Sequence, residues 1–357
     1  MKINRKDAYQ LFENLANNQC ENAFKLKYED TIKAIFWQIE ENVEKMQNKV
    51  IKEIQNLKKL HNRTLFVGEL NKFPKGCISC LCGDGLNAIR KTNKCNLQCK
   101  FCYYFGELDS QLKVPEGMWQ IGRHEFREED LDKLLAIQGT PSGIAYAYLE
   151  PFIEIEKYYS VIEKFHRAGV YQHLYTNGVL VSESSLQKLG IAGLDEIRFN
   201  IGASNCDNEI IDKIGVAKNY IPSVGIETPM TPDFFEQFFI NKRKIMYTNL
   251  DFINSAELHL NKNNIINFYG ENLYMCREGY ISPISSRLLT LQLMKIASKE
   301  KWDFVVHDCS NITKFCRELN YGRKMNLWFG AHYYGMEFET VPFDAFLPII
   351  KDETFPF

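Results

Sequence analysis

From Leu86 onward the chain alternates short apolar runs with amphipathic stretches, and this pattern constrains the fold most. Strand-like runs fall at Leu86–Arg90, Gly143–Tyr148, Gln172–Thr176, Glu196–Asn200, Ser223–Thr228, a ragged Leu250–Leu260 and Phe304–Val306. Helical patterns fall between them at about 128–138, 152–168, 182–190, 232–245 and 285–299. The helix after Pro151 is the clearest, with a proline in its first turn and Ile155, Tyr158, Ile162 and Phe165 on one face. Strand–helix alternation implies a parallel sheet with helical crossovers. Six or seven such units make a partial (β/α)6-type TIM-like barrel more fitting than a flat sheet, with chemistry at the C-terminal ends of the strands. The expected fold is α/β, with an added N-terminal helical segment.

Four regions follow. Residues 1–70 read as helical; between Thr31 and Leu60 the positions Ile32, Phe36, Ile39, Val43, Met46, Val50, Ile54 and Leu57 form one apolar stripe. It would pack on the main domain or form a partner seam. The basic set Lys49, Lys52, Lys58, Lys59 and Arg63 reads as its solvated face. Residues 71–85 read as a cysteine-rich loop, 86–320 as the barrel and 321–357 as an aromatic extension. That extension (Trp328, Phe329, Tyr333, Tyr334, Phe338, Phe343, Phe346, Phe355 and Phe357) would pack over a barrel edge or cover the substrate.

Eleven cysteines are present, six of them between 77 and 102. An odd number in a long chain argues against a disulfide framework and for metal binding in a reducing compartment. No apolar run is long enough for a membrane helix and no secretory leader is visible, so a cytoplasmic location is expected. Forty-three basic residues against 45 acidic ones give no bulk pull toward nucleic acid or an acidic membrane.

Cys95, Cys99 and Cys102 have C-x3-C-x2-C spacing within TNKCNLQCKFCYYF, directly after the first strand of the alternating region. Three thiolates can hold three irons of a four-iron cluster and leave one iron open. A zinc site is the competing use of the same thiols, although zinc favours four ligands in paired C-x2-C elements. The stretch resembles the radical S-adenosylmethionine superfamily, whose signature is this triplet with an aromatic, here Phe101, before the last cysteine. The resemblance implies a [4Fe-4S] cluster chelating S-adenosylmethionine, reductive cleavage to a 5′-deoxyadenosyl radical, and hydrogen abstraction from substrate. It also implies an external low-potential donor of the flavodoxin or ferredoxin type.

The likeness extends further. Tyr148-Leu149-Glu150-Pro151 stands where the family usually has Gly-Gly-Glu-Pro. Glu150 would then hold the cofactor's amino group; a first-turn helix acid is its plainer role. Tyr175-Thr176-Asn177-Gly178 resembles the family's Thr-Asn-Gly strand end. The resemblance places Thr176 and Asn177 near the cofactor, and Arg198, Asn200 and Glu227, polar residues on the following strands, would line the same pocket. By strand alternation Glu196, Arg198 and Asn200 share one face. Tyr103, Tyr104, His259 and His307 are candidates for substrate contact or proton handling, with structural roles as the alternative.

Cys77, Cys80, Cys82, Cys309 and Cys316 are candidates for a second site, either an auxiliary iron–sulfur cluster or a mononuclear zinc or iron. A Gly-Cys-x2-Cys element before the core and a Cys-Ser after a late strand resemble a largely uncharacterised, often archaeal, subset of the superfamily. Free buried thiols are the alternative. For substrate, a peptide or protein modified at an unactivated carbon comes first, with a tRNA base or a small metabolite behind it. A non-catalytic iron–sulfur sensor or scaffold is the reading of another class.

Overall fold

A computed structural model describes residues 1–17, 22–61, 64–82, 86–92, 94–106, 114–121, 124–276, 279–314 and 342–357. Helices α1 (Arg5–Asn17) and α2 (Asn22–Ile51) open the chain. A hairpin follows, β1 (Lys58–Leu60) and β2 (Thr64–Val67), then α3 (Lys75–Cys82). Next come β3 (Leu86–Arg90), β4 (Met118–Ile121), β5 (His124–Arg127), α4 (Leu131–Gln138) and β6 (Gly143–Tyr146). The alternating part continues with α5 (Tyr159–Arg167), β7 (Tyr171–Thr176), α6 (Glu183–Ala192), β8 (Glu196–Phe199), α7 (Asn208–Ala217), β9 (Ser223–Pro229), α8 (Pro232–Met246) and β10 (Phe252–Ala256). A small hairpin, β11 (Leu273–Met275) and β12 (Ile281–Pro283), precedes α9 (Ile284–Glu300), β13 (Val305–Cys309) and a final short helix, α10 (Leu347–Lys351).

Among the described residues β1–β10 and β13 form one eleven-stranded sheet, ordered β1-β2-β13-β10-β9-β8-β7-β6-β3-β4-β5. Its seven central strands, β3, β6–β10 and β13, are parallel and lie in chain order without reversal. Antiparallel β2 and β4 flank them. The protein is therefore mixed α/β with a large parallel sheet.

Alternation sorts the two faces. Ile144, Leu174, Ile197, Phe199, Val224, Ile226, Ile253 and Val306 pack with Ile162, Phe165, Leu189, Ile214, Phe238 and Met294 of the crossover helices. The other face carries His173, Glu196, Arg198, Glu227, Asn254 and His307, and α3 lies against it. Helix starts follow local chemistry. Ser182 caps α6 and Thr231 caps α8, each accepting from a backbone N–H three residues on. A second core joins α1, α2, β11, β12 and residues 343–355. There Phe12, Phe36, Phe343 and Phe346 meet edge to face, with centroids 4.8–6.3 Å apart. The α2 stripe at Ile32, Phe36, Ile39 and Val43 is buried within the chain rather than offered as a seam. Of the aromatic extension, Phe343, Phe346 and Phe355 pack on these N-terminal helices, whereas Trp328, Phe329, Tyr333, Tyr334 and Phe338 lie outside the described residues.

Two sequence expectations change. Residues 1–70 are not helical throughout, since α2 ends at Ile51 and β1 and β2 extend the sheet at its β13 edge. Ile54 and Leu57 keep the apolar rhythm because they face the main core, not because a helix continues. Residues 71–85 are not simply a loop, because Lys75–Cys82 is helical. Its small and apolar residues suit a segment packed on a sheet.

Candidate functional site

The C-x3-C-x2-C segment is the loop that leaves β3 at its C-terminal end. Both flanks of the loop are tied down. On one side the Glu150 N–H donates to Lys94 O at 3.1 Å, and Asn177 Nδ2 donates to Asn96 Oδ1 at 2.7 Å. On the other side four asparagines act together. Asn261 and Asn263 donate to Tyr103 O at 2.9 and 3.2 Å, Asn264 to Phe101 O at 3.2 Å, and Asn267 to Lys100 O at 2.9 Å. The sequence reading missed this clamp. Its signal was there, four asparagines within Asn261–Asn267 after a strand. Amide side chains are good donors for loop carbonyls that no strand partner satisfies.

The three thiols are half-buried and near one another. Burial pushes all three up, Cys99 to about 12, where the charges of Cys102 and Cys95 add to the effect. Glu150 acts on Cys95 and Cys99 in the same direction. Thiolates gathered in this setting need a neighbouring positive charge, and bound metal supplies one. No three His, Cys, Asp or Glu side chains among the described residues are placed to share one metal ion. A four-iron cubane asks something different, one thiolate on each of three irons, and three thiols on one short pinned loop fit it.

Glu150 sits at the junction of the loop, β6 and β7, and is buried. Its Oε1 accepts from Phe152 N (3.1 Å) and Thr176 Oγ1 (2.8 Å), and its Oε2 from Asn177 N (2.7 Å). Burial raises its pKa to about 6 despite these donors. The carboxylate caps the turn at Pro151, locks two strand ends together, and brings Thr176 and Asn177 to the cysteine loop. Tyr148 and Leu149, just before it, have φ of 74° and 55°. Left-handed backbone at two successive non-glycine residues is costly and marks a constrained junction.

Arg198 and its partners lie on the α3 face. Arg198 pairs with Glu196 and Glu227 and bonds Tyr175 Oη at 3.2 Å. Tyr171 Oη donates to the second oxygen of Glu196 at 2.7 Å. Gly76 of α3 is required here, because a Cβ would stand 2.4 Å from His173 Nδ1 and 2.7 Å from Arg198. Asn200 caps its own turn, its Oδ1 accepting from Ala203 N at 3.2 Å. His259 lies between Tyr103 and Tyr280 in tilted and edge-on contact, with centroids at 5.4 and 4.7 Å. His307 Nε2 bonds Thr64 Oγ1 at 2.7 Å. Burial lowers both histidines to about 3, so neither titrates near neutral pH.

As for the triplet, no three ligands of the second set are placed to share one metal ion among the described residues, and Cys309 acts on the charge of Cys77. Cys77 is buried with Phe66, Phe73, Leu81, Phe252 and Val305, and receives Asn254 Nδ2 at 3.6 Å. Cys80 is half-buried on α3, Cys82 ends that helix, Cys309 ends β13, and Cys316 lies outside the described residues. A helix that packs on a sheet spends its inward thiol on packing.

A cleft of about 640 Å³ opens beside the cysteine loop, with Cys99 and Phe101 on one wall and Asn205, Asp233, Phe268 and Glu271 among the others. No helix among the described residues is long and apolar enough to cross a membrane.

No protein-family model matches the chain. Uncharacterized protein MJ0804 of Methanocaldococcus jannaschii is 24% identical over 200 residues, 50% of this chain and 61% of that protein. The match thus spans less than two thirds of the length of that curated relative. A solved structure, native anSMEcpe with bound AdoMet, is similar at 15% identity and a TM-score of 0.35, over 51% of this chain and 57% of that one. A likeness at that level carries no structural argument, so the functional reading rests on the residues of this chain.

Proposed function

We propose that the protein is a radical S-adenosylmethionine enzyme. The carrying observation is the thiol triplet Cys95, Cys99 and Cys102, half-buried on one pinned loop at the C-terminal end of a parallel strand. The left-handed pair Tyr148–Leu149 supports it, since the superfamily sets glycines at that spot. The seven parallel strands in chain order, with crossover helices packed on one face, support the partial-barrel form of the fold. A [4Fe-4S] cluster chelating S-adenosylmethionine would, once reduced by an external low-potential donor, supply a 5′-deoxyadenosyl radical that takes a hydrogen atom from substrate.

The chain's own part is to hold and exclude. Cys95, Cys99 and Cys102 would each ligate one iron. The asparagine clamp and Glu150 hold the loop so that the thiols keep one geometry, while Phe101 shields one side. Thr176 ends β7 and Asn177 follows it, both beside the cysteine loop, whereas Glu227 lies within β9 on the α3 face. The cleft has a volume suited to a small ligand or one residue of a longer chain. Together with the N-terminal helical layer it supports a peptide or protein substrate. A reducing cytoplasm suits these thiols.

Anaerobic reconstitution tests the reading. Wild type should hold about four irons and four sulfides per chain and release 5′-deoxyadenosine with dithionite and S-adenosylmethionine. The variant with all three cysteines changed to alanine should do neither. Zinc in those thiols, or an intact cluster that never cleaves the sulfonium, would defeat the proposal, the second outcome favouring a sensor.

A further inference from the structure

Three carbonyls of the cysteine loop accept from the asparagine clamp, and their peptide groups lead to different places. Phe101 O accepts from Asn264, and the N–H of the same peptide, on Cys102, donates to Cys99 O at 2.9 Å. Lys100 O accepts from Asn267, but the N–H of its peptide is not among the donors to the three thiols. Tyr103 O accepts from two amides, Asn261 at 2.9 Å and Asn263 at 3.2 Å. The N–H of that peptide belongs to Tyr104, and it donates to the Cys102 thiol. Asn261 and Asn263 thus reach the Cys102 sulfur through a single peptide group. The backbone donors to the other two thiols are Asn96 and Leu97 N–H on Cys95 and the Cys99 N–H on Cys99 itself. None of them shares a peptide with a carbonyl that the clamp holds.

The orientation of Asn261 is fixed by its neighbours. Its Oδ1 accepts from Asn263 N at 2.9 Å and Asn264 N at 3.2 Å, which leaves its Nδ2 for Tyr103 O. The residue is only 3% exposed, so water has little access to displace it. We propose that Asn261 and Asn263 are positioning residues that set the reduction potential of the iron–sulfur cluster through Cys102. The inference rests on the reading of the triplet as iron ligands. A peptide whose carbonyl accepts two hydrogen bonds is more polarised, and its N–H becomes a stronger donor. A hydrogen bond to a ligating sulfur favours the more negative, reduced cluster and so raises its potential. Among the described residues Cys102 has this one backbone donor where Cys95 has two, so its strength matters most there. The pair eases entry of the single electron that an external donor delivers; without it the cluster would demand a stronger reductant.

The test compares wild type with Asn263→Ala, Asn261→Ala and Asn267→Ala after anaerobic reconstitution. Iron, sulfide and 5′-deoxyadenosine release are measured first, then the potential by redox titration followed by electron paramagnetic resonance. Asn263→Ala should keep its cluster and make reduction about threefold less favourable, about 28 mV downward for one electron. Asn261→Ala, which removes the shorter bond, should shift it at least as far. In both, the Fe–S(Cys) stretch in resonance Raman spectra should move up as the bond to Cys102 weakens. Asn267→Ala should move neither readout. The inference is overturned if the Asn261 and Asn263 variants keep the wild-type potential. It is equally overturned if Asn267→Ala lowers the potential as much, since the clamp would then act through loop rigidity. Loss of the cluster from both the Asn261 and Asn263 variants would make the clamp purely structural and also overturn it. A wild-type chain that takes up no iron defeats the reading of the triplet itself, whereas a working cluster with unshifted potentials sinks this inference alone.

Discussion

Cys95, Cys99 and Cys102 stand on a loop at the rim of the sheet, half-buried and acting on one another's charge. Cys77, from an equally cysteine-rich stretch shortly before, sits on a helix pressed into the sheet, among Phe66, Phe73 and Phe252. Both stretches have spacings that can bind metal. The backbone separates them: a loop held by its carbonyls leaves side chains free to converge, while a helix packed on a sheet assigns its inward side chain to the core.

The largest expected effect sets the two regions against each other directly. Cys99→Ala should remove the iron–sulfur absorbance, whereas Cys77→Ala should leave iron content unchanged and lower stability by about 1–2 kcal/mol through lost packing. Metal analysis and urea unfolding of the two variants check this; iron lost from the Cys77 variant would erase the contrast. Next comes Gly76→Ala. With its Cβ only 2.4 Å from the His173 ring, α3 or the His173 and Arg198 side chains must shift, at about 2 kcal/mol, seen as an earlier urea midpoint.

A pH-dependent test concerns Glu150, which joins the rim loop to β7. Burial raises its pKa to about 6 from an ordinary 4.5. The folded chain then holds this proton more tightly than the unfolded chain. Its contribution is full below about 4.5 and is lost as pH rises through about 6, by up to about 2 kcal/mol. Glu150→Gln should flatten that part of the stability profile, measured by urea unfolding between pH 4 and pH 7. An unchanged slope would remove Glu150 from the junction's electrostatics.

Much of the architecture was legible. The parallel strands of the alternating region were readable because strands buried on both sides are short runs of β-branched and aromatic residues. The helix Asn208–Ala217 went unread although Ile210, Ile211 and Ile214 share a face. The β4–β5 hairpin also escaped, since its four-residue strands are too short to carry a period. Ile54 and Leu57 imitated a continuing helix because the same core buries them three residues apart. Arg198 and Glu227 were picked out by polarity alone, but their mutual pairing was not readable from the chain.

What the sequence determined by itself was the parallel sheet, the loop that bears the triplet, and the presence of unusual polar residues on its strands. Those are set by local periodicity and by spacing along a short stretch. Only the tertiary structure decided that Glu150 is a structural junction, that four asparagines grip the cysteine loop, and that Cys77 belongs to a core. Each depends on which strand lies beside which. Side chains from distant residues then compete for the same donors and the same space, and a linear chain carries no record of that competition.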